Sequence, residues 1–365
     1  MSPAINGIQP RYSLCMRDGF ASRFARADAL YRSGDLSGAA GIYRLLAKAN
    51  VTNPAPHYML GIIHAQQGRY REAIPPLERA VRLGPNHPVM LASYANVLNA
   101  LGRVQEALAA CSAALRANPL SPEALVARGA ILQNMQRYEA AISSCDAALA
   151  VQPNLAVAWN NRGLALYSLG RFDEALLAYS RALAIAPRYF ESLQNNGNAL
   201  FALHRFPEAL TAYDKAIAVN PHSLEALIGR GRAHFHLGQL TEALNCFEAS
   251  LAIEPDSVDA WNNRGMTMQS LGRFSGALSS YERALAIDDR NPTALEGAVN
   301  AALNLCDWRR LEPLSERIIA EIRSGLPVCP FWLFALTDDN ALQLRCAQNF
   351  ALSRLPNTGP IQYGA

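Results

Sequence analysis

Charge is scarce in this chain: Asp, Glu, Lys and Arg make up 17% of its 365 residues, and the net charge at pH 7 is only +3. With a balance this small nothing points to nucleic acid, and no basic stripe interleaved with stacking aromatics marks a nucleic-acid binder. The N-terminal stretch is mildly basic (Arg11, Arg17, Arg23, Arg26 and Arg32 against Asp18 and Asp28), a weak footprint. Long hydrophobic runs are missing as well. No segment approaches the roughly 18 apolar residues that cross a bilayer, and the first twenty residues lack the apolar core and cleavage site of a secretory leader. Neither nucleic acid nor membrane is therefore expected as a partner. The seven cysteines contain no CxxC spacing.

What the chain has instead is a period. Ala39, Ala73, Ala107, Ala141, Ala175, Ala209, Ala243 and Ala277 follow one another at steps of 34 residues. Pro85, Pro119, Pro153, Pro187, Pro221 and Pro255 keep the same step, and so do Gly34, Gly68, Gly102, Gly170, Gly238 and Gly272. A period of this length implies stacked helix pairs that bury a quasi-one-dimensional core, and its usual product is a concave binding surface. Cys111 and Cys145 share one register and Cys246 falls one place earlier, in slots that hold core residues elsewhere. They read as buried, reduced thiols, which points to the cytoplasm.

Residues 156–189 show what the period encodes. Trp159, Gly163, Leu166 and Tyr167 recur at helical spacing and mark the buried face of a first helix. Gly163 is small so that a second helix can approach, and Gly170 ends the first helix where positive φ is favoured. Asp173 complements the dipole at the start of the second helix. Ala175, Tyr179 and Ala182 form its inner face, and Pro187 stops it. Ala73, Ala107, Ala175, Ala209, Ala243 and Ala277 are thus structural, at the crossing of the two helices, with Gly163, Gly197 and Gly265 on the first helices facing them.

The pattern W-x3-G-x2-L-Y…G-x4-A-x3-Y-x2-A-x4-P resembles the tetratricopeptide repeat, with repeats starting near 20, 54, 88, 122, 156, 190, 224 and 258. Gln136 and His204 depart from the turn glycine and Asp289 from the last proline. The resemblance implies an all-α, right-handed superhelical solenoid of about eight helix pairs plus a degenerate C-terminal helical unit. Its expected organisation is an N-terminal segment (1–19), the solenoid (20–291), a degenerate repeat and helical connector (292–355) and a flexible tail (356–365).

In such arrays the first helices line the concave surface. Trp159-Asn160-Asn161-Arg162-Gly163 and Trp261-Asn262-Asn263-Arg264-Gly265 are near copies, and Gln194-Asn195-Asn196-Gly197 is a close relative. Asn161, Asn195 and Asn263 share one register. A row of side-chain amides offers donors and acceptors to a peptide backbone irrespective of its side chains. The expected groove residues are these three with Asn160, Asn262, Gln194 and Asn198; solvated positions or helix-to-helix hydrogen bonds are the competing explanation. Tyr167, Phe201 and Phe235 recur at one register and are read as packing. His234 and His236, two apart on a helix, point to different faces and predict no metal site. Gly229-Arg230-Gly231 lacks the third glycine and preceding strand of a nucleotide loop. No catalytic residue, metal or cofactor is expected.

Beyond the repeats, Leu311, Leu314, Ile318, Ile319 and Ile322 predict an amphipathic helix ended by Ser324-Gly325 and Pro327. Thr337 is expected to cap a further helix through Leu342, Leu344 and Phe350. Cys306-Asp307-Trp308, Pro330-Phe331 and the helix from Asp338-Asp339 to Leu344-Arg345 resemble the connector of bacterial O-linked N-acetylglucosamine transferases of the Spindly-like kind. That resemblance implies a two-lobed UDP-sugar transferase downstream, of which this sequence holds no counterpart. The apolar residues Phe331, Trp332 and Phe334 predict self-association through residues 306–352. The expected function is a non-catalytic scaffold binding extended peptides or partner segments; the alternative is the substrate-recognition half of a protein O-glycosyltransferase.

Overall fold

The structure, a computed structural model, describes residues 18–325, 327–330, 333 and 336–354. No strand occurs among them; nineteen helices do. The chain divides into two compact units, Met1–Pro187 and Arg188–Ala365. Unit 1 holds α1 (Asp18–Arg32), α2 (Leu36–Ala49), α3 (Pro54–Gln66), α4 (Tyr70–Leu83), α5 (Pro88–Ala100), α6 (Val104–Ala117), α7 (Pro122–Asn134), α8 (Tyr138–Val151), α9 (Ala156–Ser168) and α10 (Phe172–Ile185). Unit 2 holds α11 (Phe190–Ala202), α12 (Phe206–Val219), α13 (Leu224–His236), α14 (Leu240–Ile253), α15 (Val258–Ser270), α16 (Phe274–Ile287), α17 (Pro292–Leu305), α18 (Trp308–Ser324) and α19 (Asn340–Arg354).

First helices begin at the residues the period predicts, from 54 through 258, because short polar side chains and prolines stand there. Asn53, Ser121, Ser223, Ser257 and Asn291 accept a backbone N–H from the first turn, and Pro54, Pro88, Pro122 and Pro292 open their helices where no donor is lost. Asp18 and Gly19, placed in the expected N-terminal segment, are already helical. Gly170 turns with φ +75°, and Gln136 (φ 58°) and His204 (φ 57°) adopt the same left-handed backbone without glycine. The same six-residue closure holds each turn: Arg137, Arg171 and Arg205 donate to the carbonyls of Leu132, Leu166 and Leu200, all at 2.9 Å.

The hairpin core follows from small residues meeting large rings. Ala73, Ala107, Ala175, Ala209, Ala243 and Ala277 are fully buried where second helices cross first ones. A methyl group at Gly163, Gly197 or Gly265 would fall 2.6, 2.7 and 2.7 Å from Tyr179, Tyr213 and Tyr281 respectively, so these glycines set the interhelical distance. Cys111, Cys145 and Cys246 are buried as expected; burial pushes the Cys111 thiol up to about 11 and that of Cys145 to about 12.

Within each unit, first helices pack on the next first helix (α3 on α5, α5 on α7, α7 on α9; α11 on α13, α13 on α15, α15 on α17), whereas no second helix packs closely on the next second helix. Hairpins touching on one side and splayed on the other curve toward the touching side, which puts the first helices on each unit's inner face.

At the C-terminal end Leu311, Ile318 and Ile322 of α18 are buried with Val328, Leu333, Leu342 and Cys346, in one core with Ala277, Tyr281 and Leu295. This part of the connector therefore folds back on the last repeats. Phe331, Trp332 and Phe334 and residues 356–365 lie outside the described residues, while Trp308, Leu344 and Leu352 are exposed. The cap of α19 is Asp339, not Thr337: its carboxylate accepts the N–H groups of Ala341 and Leu342 at 3.0 and 3.1 Å, and the Thr337 hydroxyl accepts that of Asp339. A carboxylate directly at the helix start satisfies more free N–H groups than a hydroxyl two residues earlier.

His57, His64 and His87 in unit 1 and His236 in unit 2 have pKa values lowered from 6.5, with burial the largest cause in each. A folded-state pKa below the unfolded one means that the unfolded chain binds more protons between the two values. The stability of these histidines is thus complete above about pH 6.5 and falls as pH drops through the folded values. Urea midpoints are expected to be lower at pH 5.5 than at pH 7.5, with a smaller difference in a variant carrying His57→Gln, His64→Gln and His87→Gln. An unchanged difference would assign the effect elsewhere.

Candidate functional site

On the inner face of unit 1, consecutive first helices are tied by side chains 35 residues apart. The Tyr58 hydroxyl lies 3.0 Å from that of Ser93, Asn134 donates to Asn99 at 3.0 Å, Gln133 donates to Ser168 at 2.9 Å, and Gln66 bonds Tyr31. These polar ladders keep neighbouring first helices in register, although the Gln133 side-chain oxygen is buried without a hydrogen-bond partner.

The seven expected groove residues separate into two sets. Asn160 and Asn262 are buried, at 5% and 6% exposure, and do not face a groove; they are the fifth residues of α9 and α15. Asn262 donates to Asn291 at 3.0 Å, the residue that caps the next first helix. Gln194, at the same register of α11, is half-buried and accepts from the cap residue Ser223 at 3.2 Å. This register links repeats. Asn198 is likewise half-buried, and its carbonyl oxygen accepts the Tyr213 hydroxyl at 2.8 Å. Asn161, Asn195 and Asn263, each the sixth residue of its helix, are half-buried. Asn161 makes no hydrogen bond among the described residues, and the Asn263 amide nitrogen donates to the Asp259 carbonyl at 2.7 Å, leaving its oxygen open. At the same register α13 has Gly229, where a methyl would meet Tyr213 at 2.6 Å.

The shared Trp-Asn-Asn-Arg-Gly string has a structural reason. The Trp159 and Trp261 indole N–H groups donate to the carbonyls of Pro153 and Pro255 at 2.9 and 2.8 Å. Arg162 and Arg264 lie over those rings, 5.9 and 5.7 Å from the centroids, and pair with Asp146 (2.7 Å) and Glu248 (3.2 Å) of the preceding second helix. Trp261 and Arg264 line an outer cleft of about 710 Å³ between α14 and α16.

One cluster escaped the sequence reading. In unit 2 the inner face carries rings where unit 1 carries hydrogen bonds. His236 stacks on Phe206 at 4.8 Å with ring planes 6° apart and meets Phe201 edge-on at 5.3 Å. Phe201 also packs on Phe206 at 5.3 Å, and the Arg232 guanidinium lies 4.4 Å from the Phe201 centroid. Phe201 and Phe235, read as packing, are half-buried. The detectable signal was the 35-residue offset between Phe201 and His236, the same offset as in the polar ladders. Among the described residues no group of three or more His, Cys, Asp or Glu could hold a metal ion, and no helix is long and apolar enough to cross a membrane.

Models of the tetratricopeptide repeat match residues 58–122, 122–155, 156–189, 195–253 and 240–304. The chain belongs to the tetratricopeptide repeat family. A solved tetratricopeptide repeat protein from Parabacteroides merdae ATCC 43184 is similar over 69% of this chain and all of its own, at 20% identity and a TM-score of 0.53, a likeness of fold. YrrB, described as a TPR protein with an unusual peptide-binding site, covers 51% of this chain and 95% of its own, at 24% identity and a TM-score of 0.44. MamA covers 44% and 95%, at 20% identity and a TM-score of 0.42. No curated protein sequence matches. The matched tetratricopeptide segments end at residue 304.

Proposed function

We propose that this tetratricopeptide array is a non-catalytic interaction scaffold, and that the inner face of its first helices grips extended peptide segments. The reading is carried by one observation: in each unit the first helices touch while the second helices splay. That makes a trough whose walls are side chains rather than backbone. Asn161 in unit 1 and Asn195 and Asn263 in unit 2 share one helical register and are half-buried, and an amide on a first helix can pair with a passing peptide backbone without regard to its sequence.

Each such hydrogen bond contributes about 0.5–1.5 kcal/mol, so removing all three is expected to weaken peptide binding at least about tenfold. The test is a peptide array probed with the wild-type chain and with the Asn161→Ala, Asn195→Ala, Asn263→Ala variant. Thermal midpoints should stay nearly equal, since these side chains are not core. Unaltered retention by the variant would remove the amides from the reading. A wild-type chain that retains no peptide would remove the reading itself. Turnover of a UDP-sugar by the chain alone would instead favour the transferase alternative, for which the connector resemblance is the support.

A further inference from the structure

We propose that the inner face of unit 2 holds an anchoring site for an acidic residue next to an aromatic one in an extended peptide, formed by Arg232, Phe201 and His236. The proposal rests on the groove reading and gives it a ligand chemistry.

Three features of the cluster point there. The first is charge. Arg162 and Arg264, on other first helices, and Arg230, two residues before Arg232 on α13, each pair with a carboxylate of the preceding second helix. Arg232 is exposed and has no ion-pair partner among the described residues. The carboxylate of Glu208, in the first turn of α12, is taken by Arg205, through bonds of 2.7 and 2.6 Å. A guanidinium fixed over a ring but lacking its own anion presents a carboxylate site, and the charge-assisted bond it offers is among the stronger polar contacts.

The second feature is the surface around it. Where unit 1 satisfies this register with amide and hydroxyl pairs, Phe201, Phe206 and His236 leave ring faces and edges with few polar atoms to compete for a ligand. Ring edges and faces suit an aromatic side chain, which prefers offset or edge-to-face packing. The third is the state of His236: burial first, then Arg232 and His204, lower its pKa from 6.5, so near neutral pH the ring packs as an uncharged aromatic beside the guanidinium. A phosphate would want several converging donors, and this site has a single guanidinium.

Fluorescence anisotropy on the full chain tests the idea with four labelled peptides in a Gly/Ser background: one with Asp-Phe, one with Asn-Phe, one with Asp-Ala, and one of Gly and Ser only. The Asp-Phe peptide is expected to bind at least about tenfold tighter than the other three. Arg232→Gln should erase that advantage, with the helical circular dichroism unchanged because the side chain is exposed. Equal binding of all four peptides would overturn the anchoring site while leaving the groove reading intact. An acid preference that survives Arg232→Gln would overturn it too. Failure of every peptide to bind would instead bring down the groove reading, and this proposal with it.

Discussion

Tyr213→Ala is expected to destabilise unit 2 by about 3–5 kcal/mol, the range for removing a large buried ring. The ring is wedged between two first helices: a methyl at Gly197 of α11 or at Gly229 of α13 would fall 2.7 or 2.6 Å from it. Removing it empties the contact within one repeat and the contact to the next together. The hydroxyl adds a separate part, since it donates to Asn198 at 2.8 Å. Tyr213→Phe should therefore lose about 1 kcal/mol. Tyr179 provides the control, because its buried hydroxyl has no hydrogen-bond partner; α9 carries Leu164 where α11 carries Asn198. Tyr179→Phe should cost nothing or stabilise slightly. Urea unfolding of the four proteins decides, and equal losses for the two Tyr→Phe changes would show that the Asn198 contact contributes nothing.

A single methyl is the second large effect. Gly163→Ala forces the Tyr179 ring from its place, since the new carbon would lie 2.6 Å from it, and overpacking of this kind costs about 1–3 kcal/mol. The chain contains the compensated pair: in the third repeat fully buried Ala95 shares the core with Cys111, which is small. In a Tyr179→Cys background the added cost of Gly163→Ala is expected to vanish, which a double-mutant cycle measures. A cost that persisted would place the clash on the backbone of α10 rather than on the ring.

Helix starts, turns and the hairpin core were legible in the sequence because each depends on one residue type at a fixed offset: a cap or proline, a glycine, an alanine facing a tyrosine. The amides were legible only as a register. Asn160 and Asn161 are neighbours in sequence, but adjacent positions point about 100° apart on a helix, and bonds to the caps Ser223 and Asn291 are what hold Gln194 and Asn262, the fifth residues of their helices. The Arg232 cluster was harder still. Its partners sit 35 residues apart, one more than the period, so aligning repeats column by column puts Phe201 and His236 in different columns.

The turns at Gln136 and His204 carry one more implication. A glycine turn has no side chain to offer, whereas a left-handed non-glycine residue costs on the order of 1–2 kcal/mol and gains a functional group at the rim. The backbone bonds that close the turn hold its shape with either residue. His204 uses that freedom: its ring meets Phe206 edge-on at 5.7 Å. Punctuation in the period is thus also a place where chemistry can be installed without redrawing the architecture.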